Sequence, residues 1–535
     1  MRKIQFIIVL ALTALFAVSC SENYLTQEPS GSTITEEQFY RMDNALEGLI
    51  KGAYPNLFIN SDGHDYFAQR AIDMYGDLLC GDMALRTQNY GWFATDELMQ
   101  TYGRRGYLWA YYYTFIRTCN KAINALEAKG LPQLEFKADP LTEEALYNGM
   151  YYAEVLTLRG WAYAGLSRFF VPVEAAETDL SVPIYTESDT RVDTVIGRPR
   201  ATVSDLYLQI ENDLDLAIQY FEAYSMCERD SKIEVNADVA RITLAYSFLN
   251  KGEYANALKW AKEAINKGDV HLLPFDEVLT TGFNNVENKN WIWGEDVTVQ
   301  NTTSLASFFG QCDIYSYSYA SAGDVKGIDQ ILYDAIPAWD VRKGWWNNYA
   351  SSGAKDADDF KYAPDGKFYS ATSKKLQGDR DWLSDNIYMR WELAYLIAAE
   401  AAARANDLGE AQTHLLAITD LRVLPDQTDA YNTWKMGIIS QDDWLAAIKY
   451  NWRVELWGEG YGLQTFRRYQ EKVSLGENHL SSNKKDNSIN PAAANMARYF
   501  TFELPSGELY YNPYLRESNE DTQNLKKKTV GIYEL

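Results

Sequence analysis

The stretch "NADVARITLAYSFLNKGEYANALKWAKEAINKG", Asn236–Gly268, decides the fold. It reads as two helices broken at Asn250-Lys251-Gly252, because a glycine just past a helical run is a stop signal. Ala245, Ala257 and Ala264 are small where the two helices would meet, and Leu244, Phe248 and Tyr254 fill the rest. A pair of this kind cannot bury its apolar face alone, so it needs neighbours built the same way. A looser copy lies far downstream in "YLIAAEAAARANDLGEAQTHLLAITDLR", Tyr395–Arg422, with Ala399, Ala402, Ala411 and Ile418 in corresponding places.

Both pairs resemble tetratricopeptide hairpins, but their separation rules out a simple tandem array. Upstream, helical period begins near Thr35, with Phe39, Met42, Leu46, Leu49 and Ile50 on one side. Tyr107–Ala128 is aromatic-rich with Trp109, Tyr112, Tyr113 and Ile116 near helical spacing, which reads as core. Tyr151–Phe170 reads as a helix that stops before Pro172, and a further one starts at a cap on Thr202 or Ser204. Between the two hairpins, Leu273–Asp385 loses the period and becomes rich in Gly, Asn, Asp, Ser and aromatics. A long non-helical insertion in a helical protein is usually functional. Within it "NWIWGEDVT" predicts a short strand with Trp291 and Trp293 in the core, and "SFFGQCDIYSYSYASAG" predicts exposed irregular chain.

The composition, 47% hydrophobic and 23% charged, is that of a soluble globular protein. The net charge of −24 repels nucleic-acid phosphates and anionic membranes, and no basic stripe offsets it. Cys20, Cys80, Cys119, Cys227 and Cys312 form no C-x-x-C pair, and the four histidines show no metal-binding spacing. No G-x-S-x-G, Walker or dinucleotide motif is present, so the chain does not read as an enzyme. Glu455 and Glu459 sit four apart, but Arg453, Arg467 and Arg468 nearby would hold both ionised. That pattern predicts a structural ion network and not a glycosidase pair.

The N-terminus, "MRKIQFIIVLALTALFAVSC", has a basic start, an apolar run too short to span a membrane and small residues before Cys20. It resembles a lipobox, with Ala17 where Leu is commoner. Residues 1–19 are then a signal peptide, Cys20 carries lipid, and 20–34 form a tether to a domain over 35–535. Loss of Arg2 and Lys3 takes the charge to −26.

Several separated segments together resemble the SusD/RagB family of nutrient-binding outer-membrane lipoproteins of Bacteroidetes-type bacteria. They are "AEVLTLRGWAYAGLSRFF" through Ala153, Glu154, Leu158, Arg159 and Tyr163, and "LYDAIPAWDVR" through Tyr333, Asp340 and Arg342. "MRWELAYLIAAEAAAR" matches through Arg390, Leu396, Ala399, Glu400 and Ala401, and "RVELWGEGYGLQTFRR" through Arg453, Glu455, Leu456, Glu459 and Gly460. Pro505, Glu508, Asn512, Pro513, Gln523 and Asn524 match the closing pattern. The resemblance implies a mostly α fold. Tetratricopeptide-like pairs form a right-handed scaffold (35–272 and 386–535), with the loop-rich ligand-binding insertion and a few short strands over 273–385. It also implies a partner, a SusC-like TonB-dependent transporter, and a place on the outer membrane facing the exterior.

Sugar rings stack on Trp and Tyr while their hydroxyls need polar side chains. Two stretches combine these types. One is the loop with Arg86, Asn89, Tyr90 and Trp92, where the family's ligand surface partly lies. The other is the insertion, with Tyr315, Tyr317 and Tyr319, then Trp345, Trp346 and Asn347. The alternating "YSYSY" either displays its tyrosines or packs them on the scaffold as an edge strand; Trp345-Trp346 is expected at the surface. "DADDF" (Asp356–Phe360) suits Ca²⁺ on composition but reads first as a solvated run, so no cofactor is expected. The expected function is surface glycan capture for a transporter. The alternative is a helical-repeat lipoprotein that binds peptides or another nutrient, or that serves as a protein scaffold.

Overall fold

The computed structural model describes residues 45–516, apart from 58–62, 88, 94–101, 132, 135–141, 173–174, 191–196, 228, 230, 347–359, 371–379, 381, 472 and 481–500. Cys20, the tether, Asn347 and the acidic run 356–359 lie outside the described residues. The chain divides after Leu49; the smaller unit is described only from Ala45, where a helix begins. The larger unit runs from Ile50 to Leu535.

Helix α1 (Ala68–Cys80) is buried along its length and ends at Gly81, whose φ of +81° turns its N–H onto Leu78 O. α2 (Tyr102–Lys129) packs on α3 (Glu143–Phe170). α3 starts ahead of its aromatic run because Thr142 caps it, accepting from the Ala145 N–H at 3.2 Å. Gly160 and Gly165 let α3 come close to its neighbours. A Cβ there would stand 2.7 Å from Leu214 and 2.3 Å from the Tyr112 ring. α4 (Val203–Ala223) is capped by Thr202, which accepts from the Asp205 N–H at 3.0 Å.

The predicted hairpins form as read. α5 (Ala237–Lys251) turns at Gly252, φ +87°, into α6 (Tyr254–Lys267), whose buried seam is Ala257, Ala261 and Ala264. α7 (Trp391–Arg404) and α8 (Leu408–Thr419) make the second pair. α6 packs directly on α7, so hairpins far apart in sequence are neighbours, and α2 to α8 form a row in which each helix touches the next. α9 (Gln441–Glu455), opened by a Ser440/Asp443 capping box, packs on α7, and α10 (Gly462–Tyr469) packs on α1.

The strands are short and pair antiparallel. β1 (Met83–Leu85) pairs with β5 (Lys326–Ile328), β2 (Leu180–Pro183) with β3 (Arg200–Thr202), and β4 (Trp291–Glu295) with β6 (Asn386–Arg390). β6 leads straight into α7 and so ties the insertion to the scaffold. Trp291 and Trp293 are buried on β4, as expected.

The interior of the insertion corrects three expectations. Trp345 and Trp346 are 0% and 1% exposed, not at the surface. Trp345 Nε1–H donates to Val278 O at 2.6 Å, Lys367 Nζ lies 4.7 Å over its ring, and Trp346 meets Trp457 edge-on at 5.5 Å. "SFFGQCDIYSYSYASAG" is mostly buried, because Ser307 caps a helical turn that puts Phe308 under the Arg70 guanidinium at 3.9 Å. Glu455 and Glu459 do lie in an ion network, but not with the arginines nearest in sequence. Glu455 meets Arg342 at 2.8 Å, Arg390 at 2.8 Å and Arg422 at 2.9 Å; Glu459 meets Arg390 at 2.9 Å and Lys367 at 2.7 Å. Asp340 and Glu392 complete it, so four cations face four carboxylates in the dry interior. Burial alone pushes Glu455 up, but Arg422, Arg390 and Arg342 outweigh it and hold its carboxyl well below the usual range.

Candidate functional site

The loop after β1 is shaped by two left-handed residues, Gly91 at φ +78° and Phe93 at φ +61°. A left-handed phenylalanine costs on the order of 1–2 kcal/mol. It is held by burial: Phe93 packs on Phe67 and Tyr75, with ring centres 5.8 and 5.3 Å away. With Phe93 anchored inward, Trp92 is turned outward and stacks on His64, centres 5.4 Å apart and planes 11° from parallel. Tyr319 closes this cluster edge-on, 5.7 Å from His64, 6.1 Å from Trp92 and 5.0 Å from Tyr90. Its hydroxyl shares a 2.6 Å hydrogen bond with His64 Nδ1, and burial raises its pKa, so it stays protonated.

One carboxylate holds the loop in place. Asp324, just before β5, accepts from the Asn89 N–H at 2.7 Å, the Tyr90 N–H at 3.1 Å and the Thr87 hydroxyl at 3.1 Å. On the insertion side Gln311 Nε2 donates to His64 O at 2.7 Å. Beside this cluster Tyr317 is 45% exposed, with the Arg380 guanidinium 4.3 Å over its ring. Trp382 Nε1–H donates to Tyr317 O at 2.9 Å, and its own carbonyl accepts from the Thr302 hydroxyl at 2.9 Å.

The face thus offers flat rings (Trp92, Tyr90 and Tyr317) beside exposed polar side chains, Arg86, Asn89 and Arg380. Rigid aromatic faces next to fork-shaped donors and amides suit a ligand with apolar faces and many hydroxyls. Among the described residues no group of three or more His, Cys, Asp or Glu is placed to hold a metal ion.

The family described as "Starch-binding associating with outer membrane" matches residues 23–244, and the "SusD family" matches residues 335–530. The chain belongs to the SusD/RagB family. A SusD-like protein of Bacteroides ovatus is 27% identical over 246 residues, 46% of this chain and 40% of that protein. The match therefore spans less than half of that curated relative. The SusD-like carbohydrate binding protein of Bacteroides vulgatus shares the fold at TM-score 0.70 and 23% identity, over 88% of this chain and 97% of its own. The surface glycan-binding protein A of Bacteroides thetaiotaomicron does so at TM-score 0.61 and 16% identity, over 88% and 98%.

On this SusD/RagB scaffold the residues expected from sequence divide. Trp92, Tyr90, Asn89 and Tyr319 come together, Arg86 opens the same loop, and Tyr317 stands beside them. "YSYSY" follows neither expectation. It is not a strand with one face out: Tyr317 points out, Tyr319 is buried but for its contact with the cluster, and Tyr315 sits in a core with Ile314, Val325 and Tyr369. Tyr315, Trp345 and Trp346 are thus structural. His64, Asp324, Arg380 and Trp382 were not foreseen. "GDRDW" did carry an aromatic in a polar loop, but nothing around His64 or Asp324 marks either in sequence.

Proposed function

We propose that this chain is a lipoprotein, anchored through Cys20 to the outer membrane, that captures a glycan on the Trp92–Tyr317 face and delivers it to a SusC-like TonB-dependent transporter. The observation that carries the reading is that outward-facing Trp92, set between left-handed Gly91 and Phe93 and backed by His64, meets exposed amide and guanidinium groups on one face. Two structurally similar proteins are named for carbohydrate or glycan binding, which supports the same reading. Binding without catalysis is proposed. Among the described residues no helix is long and apolar enough to cross a membrane.

Affinity electrophoresis through gels containing a panel of polysaccharides tests this. Retardation by at least one glycan, lost in Trp92→Ala, is expected. Binding of peptides with no retardation by any glycan would overturn it.

A further inference from the structure

A cavity of about 300 Å³ opens between the end of α3, the α5–α6 turn, the end of α7 and α10, and it shares no residue with the aromatic face. Its charged lining is entirely cationic: Arg168, Lys251, Arg404, Arg467 and Arg468. Two of these are answered by Glu400, which takes Arg404 at 2.9 Å and Arg468 at 2.9 Å. Lys251 meets Glu253 at 2.5 Å and, more loosely, Glu177 at 3.9 Å.

Arg168 and Arg467 have no carboxylate in an ion pair among the described residues, and only at Arg168 is burial outweighed from a distance, by tyrosine hydroxyls and Asp73 that raise its pKa. Arg467 is 8% exposed and donates to the carbonyls of Arg168 and Val171 at the end of α3. Arg168 Nη2 donates to Gly460 O at 2.5 Å, and its buried Nε has no hydrogen-bond partner. Carbonyls satisfy N–H groups but bring no net charge. Burial without a counter-ion accordingly pushes Arg467 down to about 10, still cationic at neutral pH. In a chain of net charge −24 this is a local excess of positive charge in a half-enclosed space. Guanidinium forks match the oxygens of oxoanions, and an uncompensated buried cation gains most from such a partner.

We propose that this cavity binds a small oxoanion, a sulfate, phosphate or sugar carboxylate, between Arg168 and Arg467 with Lys251 at the rim. Its volume admits a single acidic sugar or an inorganic anion, not a polysaccharide chain.

Sodium sulfate, phosphate and glucuronate are titrated into the intact protein at ionic strength held constant with sodium chloride, following thermal unfolding and heats of binding. A saturable rise in Tm and a matching binding heat are expected for at least one of them, because a ligand of the folded state alone stabilises it. Response to the inorganic salts alone supports a free-anion site, and tighter response to glucuronate supports an acidic-sugar site. Lys251→Glu at the rim is expected to raise the half-saturating concentration about tenfold or more. Arg467→Gln is expected to abolish saturation, with Arg168→Gln as the second variant should the first unfold. No binding heat, or a rise that is linear and equal in Lys251→Glu, overturns the proposal. Failure of glycan binding at Trp92 does not bear on it.

Discussion

Trp345 and Trp346 lie inside the insertion, over Lys367 and against Trp457, whereas Trp92 and Tyr317 stand on its outside. The residue types are the same; their polar neighbours differ. Inside, the rings pack beside full charges that must be paired, because an unpaired charge there costs several kcal/mol. Outside, Trp92 is set by backbone conformation, and one carboxylate, Asp324, ties its loop through N–H groups. Aromatic rings beside a buried charge network pack the interior; the ring set by backbone geometry stands at the surface.

Glu455→Gln attacks the inner half at its centre, leaving Arg342, Arg390 and Arg422 around a neutral amide. A loss of about 3–5 kcal/mol in chemical denaturation is expected, and an unchanged midpoint would break the comparison. Trp345→Ala opens a void in the same interior and is expected to cost about 3–5 kcal/mol by the same measurement. Trp92→Ala belongs to the other half. Calorimetry with a retarding glycan is expected to show a loss of about 2 kcal/mol in binding, while stability changes by less than about 1 kcal/mol.

Asp324→Ala sharpens the boundary, since it frees the loop N–H groups that the carboxylate holds. Binding is expected to weaken a few-fold, with roughly 1 kcal/mol lost in stability. Glu295, at the end of β4, adds a test through pH. Burial, helped by Asp296 and Asp385, pushes it up to about 8 from 4.5, so its contribution to stability is present at low pH and lost as pH rises through 8. Thermal unfolding of Glu295→Gln is therefore expected to gain on the wild type between pH 5 and 8, and parallel curves would contradict the shift.

The helical half of the fold was legible in the sequence because its signals are local. The Asn250–Gly252 stop, the Thr202 cap and the alanine seam each act within a turn or two of the chain. The site was half legible: the Arg86–Trp92 loop was singled out by residue types, but exposure of the insertion's rings depends on what packs over them. Trp345-Trp346 looked like display for want of a nearby apolar run, and its cover, Val278 and Trp457, comes from elsewhere in the chain. The partners of Glu455 were misassigned for a related reason. Residues two apart on a helix point to different sides, so Arg453 turns away to Asp82 at 2.5 Å, and Arg468 on α10 serves Glu400.

The ion network also has a consequence in time. Arg342 and Lys367 are synthesised well before Glu455 and Glu459, which lie 113 and 92 positions later. Until the chain has grown past Glu459, Arg342 has only Asp340 to pair with and Lys367 lacks its carboxylate. The insertion's interior therefore cannot reach its final pairing before α9 and the turn after it are in place. The last fifth of the chain thus completes the charge network inside the insertion that carries Tyr317 and Tyr319.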